Sequence, residues 1–294
     1  MIKTARPRRS VLYMPGSNAR ALEKGRTFAA DGLILDLEDA VAPDAKETAR
    51  RQIRDAIAEG GYGKRELIVR VNGMDTSWGH DDLADVATMG ADAVLLPKVE
   101  SAGMVHMAEA SLDTAGAADD LAVWCMMETP LGMLHAEEIS EASSRVGALV
   151  MGTSDLAKDL HCAHTRDRLP FITSLGLCLL AARSAGIAIL DGVHLNLDDD
   201  EGLEYACRQG AELGFDGKTL IHPKTIDAAN AAFAPSPEEV EWSKKIIAAH
   251  AAATDEGKGI VVVDGKLVEN LHVLNAQRLV AMSEAIAELE RAAG

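Results

Sequence analysis

Charged side chains end several short apolar segments of this chain, in positions that could do acid–base or metal chemistry. Burying an unpaired charge costs free energy, so charges that converge from five or more segments are hard to explain as packing. They predict instead a charged site built by several separate elements. The side chains are Asp36, Glu38, Arg70, Lys98, Glu128, Asp155 and Asp191.

Two of these carboxylates, Glu128 and Asp155, predict a divalent cation site. Two carboxylates plus several waters are the usual protein share of a magnesium site. Carboxylate oxygens without histidine or thiolate favour Mg²⁺, or Mn²⁺, over zinc. A solvated strand end is the alternative for Glu128, and a helix N-cap, compatible with the metal role, is the alternative for Asp155. The cluster His161, Cys162 and His164 competes as a zinc site but has no matched second pair nearby, so we expect a loop role for it.

Eight short apolar runs, rich in leucine or β-branched residues, predict eight strands. Most of the segments between them have helical spacing, and this alternation is typical of a parallel sheet. Eight units in roughly 220 residues favour an α/β (β/α)8 TIM barrel over an open doubly wound sheet. No GxGxxG follows a strand. The runs are residues 10–16, 31–39, 66–73, 92–100, 121–129, 147–155, 187–192 and 215–223.

The period of two along each strand sorts the side chains into two faces. In the second run the leucines share the face that suits the helix layer, so Asp36 and Glu38 point into the barrel. The same alternation places Arg70 and Glu128 near the carboxyl ends of their strands, where active sites of such barrels lie. These side chains are therefore expected to converge.

Two acidic residues of the second run also have structural alternatives. Asp36 could form an ion pair with Arg70 or Lys98 inside the barrel. Asp39 could cap the helix that follows. Both alternatives remain open at this point.

Composition and charge exclude several classes of function. The 294 residues carry a net charge of -17, from 46 acidic and 29 basic residues, which repels nucleic acid and anionic membranes. Aromatic residues make up only 3%, too few for stacking platforms that bind single strands. No apolar run is long enough for a transmembrane helix or a signal peptide. We expect a cytoplasmic protein with reduced, packing cysteines and no nucleic-acid or membrane partner.

The last part of the chain does not fit a barrel unit. We assign residues 1–234 to the barrel and residues 235–294 to a C-terminal lid or oligomerisation segment. Within it, the sequence predicts a helix from residue 235, a short hairpin with Asp-Gly at its turn in residues 258–268, and a second helix to residue 294.

Eight motifs follow one another along nearly the whole chain, and together they resemble the citrate lyase β-subunit-like family of CoA-ester lyases, which includes malyl-CoA and citramalyl-CoA lyases. Any one motif alone would be weak evidence. They are RSVLYMPGSNARALEK (9–24), LILDLEDAVAPDAKETAR (33–50), VRVNG (69–73), LLPKVES (95–101), ETPLG (128–132), GTSDLAKDL (152–160), LDGVHLNLDDDEGL (190–203) and GFDGKTLIHPKTI (214–226).

The resemblance implies a (β/α)8 barrel that forms homotrimers or homohexamers, with a C-terminal segment that closes over the site of a neighbouring subunit. It implies Mg²⁺ held by Glu128 and Asp155, and Arg70 beside the substrate carbonyl. It also implies an acidic pair, Glu38 and Asp39, near the site.

The first loop matches the region of the family that meets CoA. A glycine-containing loop that opens a helix can place backbone N–H groups on a phosphate. Arg20, Lys24 and Arg26 add a local positive charge, for which a solvated helix face is the alternative. The matching loop residues are Pro15, Gly16, Ser17 and Arg20.

One motif departs from the family pattern. Many of these lyases carry aspartate in a Met-Ile-Asp motif of the C-terminal segment, whereas the matching stretch here is Leu267-Val268-Glu269. Glutamate reaches one methylene farther than aspartate, and Asp264 is a second candidate nearby. The departure keeps a thioesterase, or an altered substrate, as an alternative.

We expect a Mg²⁺-dependent carbon–carbon lyase that cleaves a malyl-CoA or citramalyl-CoA type ester into an acyl-CoA and glyoxylate or pyruvate. Arg70 would stabilise the enolate oxygen, and Glu38, Asp39 or Glu269 would transfer the proton. Lys98 is expected to contact the substrate. The alternatives are a (3S)-malyl-CoA thioesterase, a citrate lyase β subunit that acts on an acyl carrier protein, and, least favoured, a non-catalytic binding protein.

Overall fold

Eight parallel strands close into a barrel in chain order, and the first strand pairs with the last. Seven strands lie inside the apolar runs identified in the sequence, and β6 begins one residue before its run. Since the eight strands also close, the prediction of a TIM barrel is confirmed. The strands are β1 (Ser10–Pro15), β2 (Gly32–Asp36), β3 (Glu66–Arg70), β4 (Ala93–Leu96), β5 (Ala122–Met127), β6 (Val146–Met151), β7 (Ala188–Asp191) and β8 (Gly217–Leu220).

The structure is a computed structural model that describes residues 6–255 and 260–293. Its helices follow the strands and continue into the C-terminal segment. They are α1 (Ala19–Gly25), α2 (Lys46–Glu59), α3 (Gly79–Met89), α4 (Ala102–Thr114), α5 (Pro130–Leu134), α6 (Ala136–Ser140), α7 (Thr153–Leu160), α8 (Ile172–Ala185), α9 (Asp200–Leu213), α10 (Ile226–Phe233), α11 (Pro237–Asp255) and α12 (Asn270–Ala293). Short 3-10 helices occupy Pro43–Ala45, Leu169–Phe171 and Pro223–Thr225.

Side chains of alternating strand positions fill two separate cores. Ile34 and Trp124 belong to the cluster inside the barrel. The leucines Leu33, Leu35 and Leu37 belong to the larger cluster between the strands and the helices. The alternation of faces expected from the sequence is therefore confirmed, and it points the intervening polar residues into the barrel.

Buried ion pairs lie at the amino-terminal ends of the strands. Arg9 pairs with Asp31 just before β2, with both Nε–Oδ2 and Nη2–Oδ1 at 2.9 Å. Arg8 pairs with Glu66 at the start of β3 and lies 5.3 Å from the centre of the Trp124 ring. Because these charges are paired, this end of the barrel is built for stability, and the opposite end remains for chemistry.

The C-terminal segment forms a second compact unit, in which Arg6 and Pro7 join residues 234–255 and 260–293. Its strands β9 (Val261–Val263) and β10 (Lys266–Val268) pair antiparallel. Asp264 and Gly265 make the turn with φ of 48° and 77°, so the Asp-Gly hairpin is confirmed. Residues 256–259 of the predicted first helix and hairpin lie outside the described residues.

Two sequence expectations about composition can be compared with the fold. Cys125, Cys178 and Cys207 are buried and Cys162 is half-buried, and all four are free, as expected for packing cysteines. In the described parts of the chain, no helix has the length and apolar character needed to cross a membrane.

Candidate active site

The carboxyl ends of β2 and β3 join a carboxylate to a guanidinium. Asp36 and Arg70 are register partners, and Arg70 donates from Nε to Oδ1 (2.7 Å) and from Nη2 to Oδ2 (2.6 Å). Burial opposes the charge of Arg70, but the hydrogen bond to Asp36 and the nearby negative charges raise its pKa well above the usual value, so it stays protonated. The ion-pair alternative for Asp36 is thus the one that the structure contains.

The acidic pair after β2 approaches the same guanidinium. Arg70 Nη1 lies 2.8 Å from Glu38 Oε2 and 3.6 Å from Asp39 Oδ2. Glu38 is buried and also accepts from Lys98 Nζ through Oε1 (3.0 Å), whereas the side chain of Asp39 is 63% exposed. Asp39 does not cap the following helix, because Ala45 is the N-cap of α2.

The loop after β4 holds Glu128 through the protein backbone. Lys98 has a φ of 47°, in the left-handed region, and its backbone N–H donates to Glu128 Oε1 at 2.8 Å. Glu128 is only 2% exposed. Burial raises its pKa to about 7 against the attraction of Lys98, and the charges of Glu38 and Asp155 add to the increase. The alternative of a solvated strand end is therefore wrong for Glu128.

Asp155 lies in the first turn of α7, at the next strand along the barrel. Gly152 is the N-cap of this helix, so the N-cap alternative for Asp155 is wrong. Asp155 Oδ1 accepts from Lys158 Nζ at 3.0 Å, and its side chain is 26% exposed. A Cβ on Gly152 would lie 2.6 Å from Glu128 Oε2, so the absence of a side chain there leaves room beside this carboxylate oxygen.

These two carboxylates fit the donor chemistry of a magnesium ion. Both offer oxygens, and both lie at the mouth, where substrate and water can complete an octahedral shell. In residues 6–255 and 260–293, no three His, Cys, Asp or Glu side chains are arranged to hold a metal together. The zinc alternative at His161, Cys162 and His164 is therefore not supported.

The first loop packs against the end of β2. The Gly16 N–H donates to Asp36 O (2.9 Å), and a Cβ on Gly16 would lie 2.7 Å from both this oxygen and Ile53 Cδ1, so only glycine fits. Pro15 ends β1 and Ser17 is exposed. Arg20 is exposed on α1, close to the loop.

The basic residues of α1 differ in their partners. Arg26 pairs with Glu23 and Glu59, which supports the alternative of a solvated helix face for this residue. Lys24 is exposed, and its backbone oxygen accepts from Thr27. The local positive charge beside the loop is thus carried by Arg20 and Lys24.

Two further candidates lie in the C-terminal unit. Glu269 follows β10 directly, and its backbone N–H donates to His272 Nδ1 at 3.0 Å at the start of α12. Asp264 forms a close ion pair with Lys245 inside the same unit. Neither residue belongs to the barrel unit that carries the other candidates.

Two residues that position the site side chains were not predicted from the sequence. Lys46 is buried, and its Nζ donates to Leu37 O (2.8 Å), Glu38 O (2.8 Å) and Asn72 Oδ1 (2.7 Å), fixing the backbone that carries the acidic pair. Tyr13 lies on the inner face of β1, where its ring centre is 4.9 Å from the Arg70 guanidinium carbon. The period of two could have found Tyr13, whereas no local signal marks Lys46.

The sequence of the barrel matches a known family model. Residues 9–223 match the model described as HpcH/HpaI aldolase/citrate lyase. The chain belongs to the HpcH/HpaI aldolase/citrate lyase family. The resemblance to citrate lyase β-subunit-like proteins is thereby confirmed.

Relatives of this family cover almost the full length of the chain. A (3S)-malyl-CoA thioesterase of Cereibacter sphaeroides (strain KD131 / KCTC 12085) is 52% identical over 287 residues, which is 98% of each chain. The citrate lyase subunit beta of Escherichia coli (strain K12) is 36% identical and covers 95% of this chain and 93% of its own. Protein CitE from Mycobacterium tuberculosis, solved in complex with magnesium, acetoacetate and coenzyme A, has a TM-score of 0.75 and 29% identity, over 96% of this chain and 100% of its own.

The relatives correct the activity predicted from the sequence. We expected a carbon–carbon lyase, but the relatives at 51–52% identity are named thioesterases, and the citrate lyase subunits are more distant. The prediction of a lyase is therefore wrong, and the hydrolytic alternative is the better one. The physical reason is that C–C cleavage and thioester hydrolysis both need a CoA ester whose carbonyl is polarised by charged side chains. The types of the site residues therefore do not distinguish a lyase from a thioesterase.

Proposed function

We propose that this chain hydrolyses the thioester bond of a CoA ester of the malyl class, such as (3S)-malyl-CoA. The observation that carries the proposal is the 52% identity, over 98% of both chains, to a (3S)-malyl-CoA thioesterase. The charged end of the barrel supports it, because its groups suit a carbonyl that becomes an oxyanion.

Glu128 and Asp155 are proposed to hold Mg²⁺, with Mn²⁺ as a substitute. The magnesium in the related CitE structure and the oxygen donors of the two carboxylates support this assignment. When bound, the ion supplies a Lewis acid for the oxygens of the substrate. The backbone N–H of Lys98 orients Glu128 for this role.

Arg70 and the acidic pair are proposed to serve the hydrolysis itself. Asp36 holds Nε and Nη2 of Arg70, whereas Nη1 lies 2.8 Å from Glu38 Oε2 and donates to Met126 Sδ at 3.9 Å. The substrate would draw Nη1 away from these neighbours, so that it donates to the oxygen that gains charge as water adds to the thioester carbon. Asp39 is exposed and makes no hydrogen bond from its carboxylate in the described structure, so it is the better base for the attacking water. Glu38 is held in place by Arg70 and Lys98, so it suits a role in orienting the substrate together with Lys98.

The first loop and the C-terminal unit are proposed to complete the substrate site. Pro15, Gly16, Ser17 and Arg20 would contact the CoA phosphates, supported by an exposed guanidinium and a narrow glycine turn. Glu269 would approach the site of a neighbouring subunit rather than supply the base in its own chain.

We also propose a homotrimer or homohexamer in which the segment 235–294 covers a neighbour. Both units expose large apolar side chains, among them Leu271 and Leu274 on α12 and Leu134 and Leu169 near the barrel mouth. Leu271 and Leu274 are three positions apart on one face of α12, and adjacent exposed apolar side chains of this kind support an interaction surface. Light scattering should give three or six times the mass of the 31.1 kDa chain, and the double variant Leu271→Asp, Leu274→Asp should dissociate and lose activity. A monomeric wild type would overturn the assembly.

The four free cysteines suit a cytoplasmic location.

The decisive experiment follows both products of (3S)-malyl-CoA in one assay. With Mg²⁺ present, we expect free CoA thiol and malate, without a matching release of glyoxylate. Glu128→Gln and Asp155→Asn should abolish the activity, whereas Asp159→Asn, which removes a carboxylate from the same helix, should retain it. Glyoxylate formed in proportion to acetyl-CoA would overturn hydrolysis, and full activity in EDTA would overturn the metal assignment.

A further inference from the structure

A buried charge cluster joins β7 and β8, on the side of the barrel away from Arg70. Asp191 and Lys218 are register partners, and Lys218 Nζ donates to Asp191 Oδ2 at 2.8 Å. Arg168, from the segment before α8, donates from Nη1 to both oxygens of the same carboxylate (2.6 and 2.8 Å). Asp191 and Lys218 are at most 1% exposed, and the side chain of Arg168 is 12% exposed.

The charges of this cluster do not balance. One carboxylate faces an ammonium and a guanidinium. Burial raises the pKa of Asp191, but these two positive charges outweigh it and hold the pKa below its usual value. A buried excess of positive charge is costly unless an anion neutralises it. The proposed thioester chemistry does not use these residues, so the excess needs another explanation.

A cavity of about 270 Å³ adjoins the cluster. Arg168, Lys218 and His194 line it, and Arg166 lines it where the wall is exposed. Asp199 also lines the cavity and brings a second carboxylate, but it is exposed to water and its Oδ1 accepts from the Gly202 N–H. The wall therefore runs from an exposed guanidinium to a buried ammonium, inside a protein whose overall charge is strongly negative.

Two nitrogens on this wall are buried without a hydrogen-bond partner in the described structure. They are Nη2 of Arg168 and Nε2 of His194. Buried polar atoms normally have a partner, and an unpaired one costs about 1–3 kcal/mol. Burial, and after it the positive charge of Lys218, lower the pKa of His194 against the attraction of Asp199.

We infer that this cavity binds a small oxyanion, a carboxylate or a phosphate, between Arg168, Lys218 and His194. An oxyanion would supply the missing negative charge and an acceptor for Nη2 of Arg168. It would also accept from Nε2 of His194 once the imidazole takes up a proton on binding. The cavity is smaller than the roughly 300–1,000 Å³ typical of sites for larger organic ligands, so it suits a small anion better than a whole CoA ester. Thr153 lines the same cavity and begins α7, which also carries Asp155, so the bound anion would lie at the same end of the barrel.

Calorimetric titration of the full-length protein tests this inference. Inorganic phosphate and succinate are titrated separately in EDTA, with sodium chloride at matched ionic strength as the reference. We expect saturable binding of at least one of the two anions beyond that of chloride, and the anion that binds identifies the source as phosphate or carboxylate. Arg168→Met should weaken binding by at least about tenfold, the worth of one charge-assisted hydrogen bond.

A second pair of variants separates binding from folding. His194→Ala leaves the charges of Asp191, Arg168 and Lys218 in place and removes a half-buried imidazole that hydrogen-bonds to the backbone of Asn196 and Asp199. The variant should keep the native circular dichroism spectrum and weaken binding by about three- to tenfold. His80→Ala, on the exposed face of α3, and Glu128→Gln, at the proposed metal site, should bind the anion as the wild type does. No saturable binding in the wild type, unchanged affinity in His194→Ala, or loss of binding in Glu128→Gln would each overturn the site.

Discussion

Arg70 and Asp36 face each other across β3 and β2, and two hydrogen bonds fix the guanidinium against the carboxylate inside the barrel mouth. This relationship decides which part of Arg70 is available to a substrate. Nε and Nη2 serve Asp36, whereas Nη1 lies between Glu38 and Asp39. A neighbouring carboxylate thus sets the direction of the group proposed to meet the oxyanion.

Asp36→Asn should therefore reduce turnover more than substrate binding. The amide keeps the shape of the carboxylate but not its charge, so Arg70 turns toward Glu38. We expect kcat to fall about 10- to 100-fold, as for a catalytic group displaced by about 1 Å, with little change in KM. Steady-state kinetics with the CoA ester measures both.

Asp31→Asn is the matched control for that variant. It breaks the buried ion pair with Arg9 just before the same strand, at the opposite end of the barrel. Each variant should lose about 3–5 kcal/mol of unfolding free energy, but only Asp36→Asn should lower kcat. Equal kcat values in the two variants would refute a positioning role for Asp36.

Glu128→Gln should stabilise the metal-free protein at alkaline pH. The folded-state pKa of Glu128, about 7, lies above its ordinary value of 4.5, so the native state binds the proton more tightly than the unfolded chain does. Stability of the wild type then falls as pH rises through this window, and the variant escapes the loss. We expect a gain on the order of 1–3 kcal/mol at pH 8 relative to pH 5, by denaturant unfolding in EDTA.

The control for this measurement is the same pair of proteins at pH 5, where the wild-type carboxyl is largely protonated and the two should differ little. Glutamine keeps an oxygen for the Lys98 N–H, so the hydrogen bond is preserved. A variant that is no more stable at pH 8 than at pH 5, relative to the wild type, would contradict the raised pKa.

Gly152→Ala should disturb Glu128 without touching any charge. The new methyl group would collide with the Cβ and Oε2 of Glu128. We expect a loss of about 1–3 kcal/mol in stability and a weaker response of activity to Mg²⁺. Gly176→Ala is the control, because a Cβ there meets open space within α8, and it should add about 0.5–1 kcal/mol. Chemical unfolding and a Mg²⁺ titration of activity measure the two effects.

Lys46→Met should release the segment that carries Glu38. The ammonium serves Leu37 O, Glu38 O and Asn72 Oδ1, and each of them loses this charged donor in the variant. Leu37 O and Glu38 O keep one neutral donor each, but Asn72 Oδ1 is left without the ammonium inside the barrel wall. We expect a loss of about 2–4 kcal/mol in unfolding free energy together with reduced activity. Lys244→Met, on the exposed surface of α11, should change stability by less than about 0.5 kcal/mol. An equally small effect of Lys46→Met would show that the backbone carrying Glu38 and Asp39 keeps its conformation without the ammonium.

The fold and half of the site were predictable because they follow from local patterns. Leucines at alternate positions of β2 fixed which side chains face inward, and this placed Asp36 at the mouth beside Arg70. The Asp264-Gly265 turn was predictable because its backbone conformation favours those two residues.

The remainder depends on contacts between distant parts of the chain. Lys46 reaches Asn72 across 26 positions, and in the sequence it resembles any lysine near the start of a helix. Arg168 meets Asp191 in the same long-range way. The prediction of the reaction was wrong. Hydrolysis breaks the C–S bond of the thioester after water adds, whereas a lyase breaks a C–C bond of the acyl group, and the residue types of the site do not encode which bond breaks.

Lys98, whose backbone is in the left-handed region, binds two different carboxylates through its backbone and its side chain. The backbone N–H of Lys98 donates to Glu128, and its ammonium donates to Glu38. The hydrogen bond to Glu128 is therefore kept in any substitution whose side chain tolerates this backbone conformation. Glycine, asparagine and aspartate adopt this conformation most readily. A single substitution of Lys98 by one of these three residues would remove or reverse the charge opposite Glu38. The backbone hydrogen bond that orients Glu128 would be unchanged, so substrate selectivity could change without loss of the metal-binding geometry.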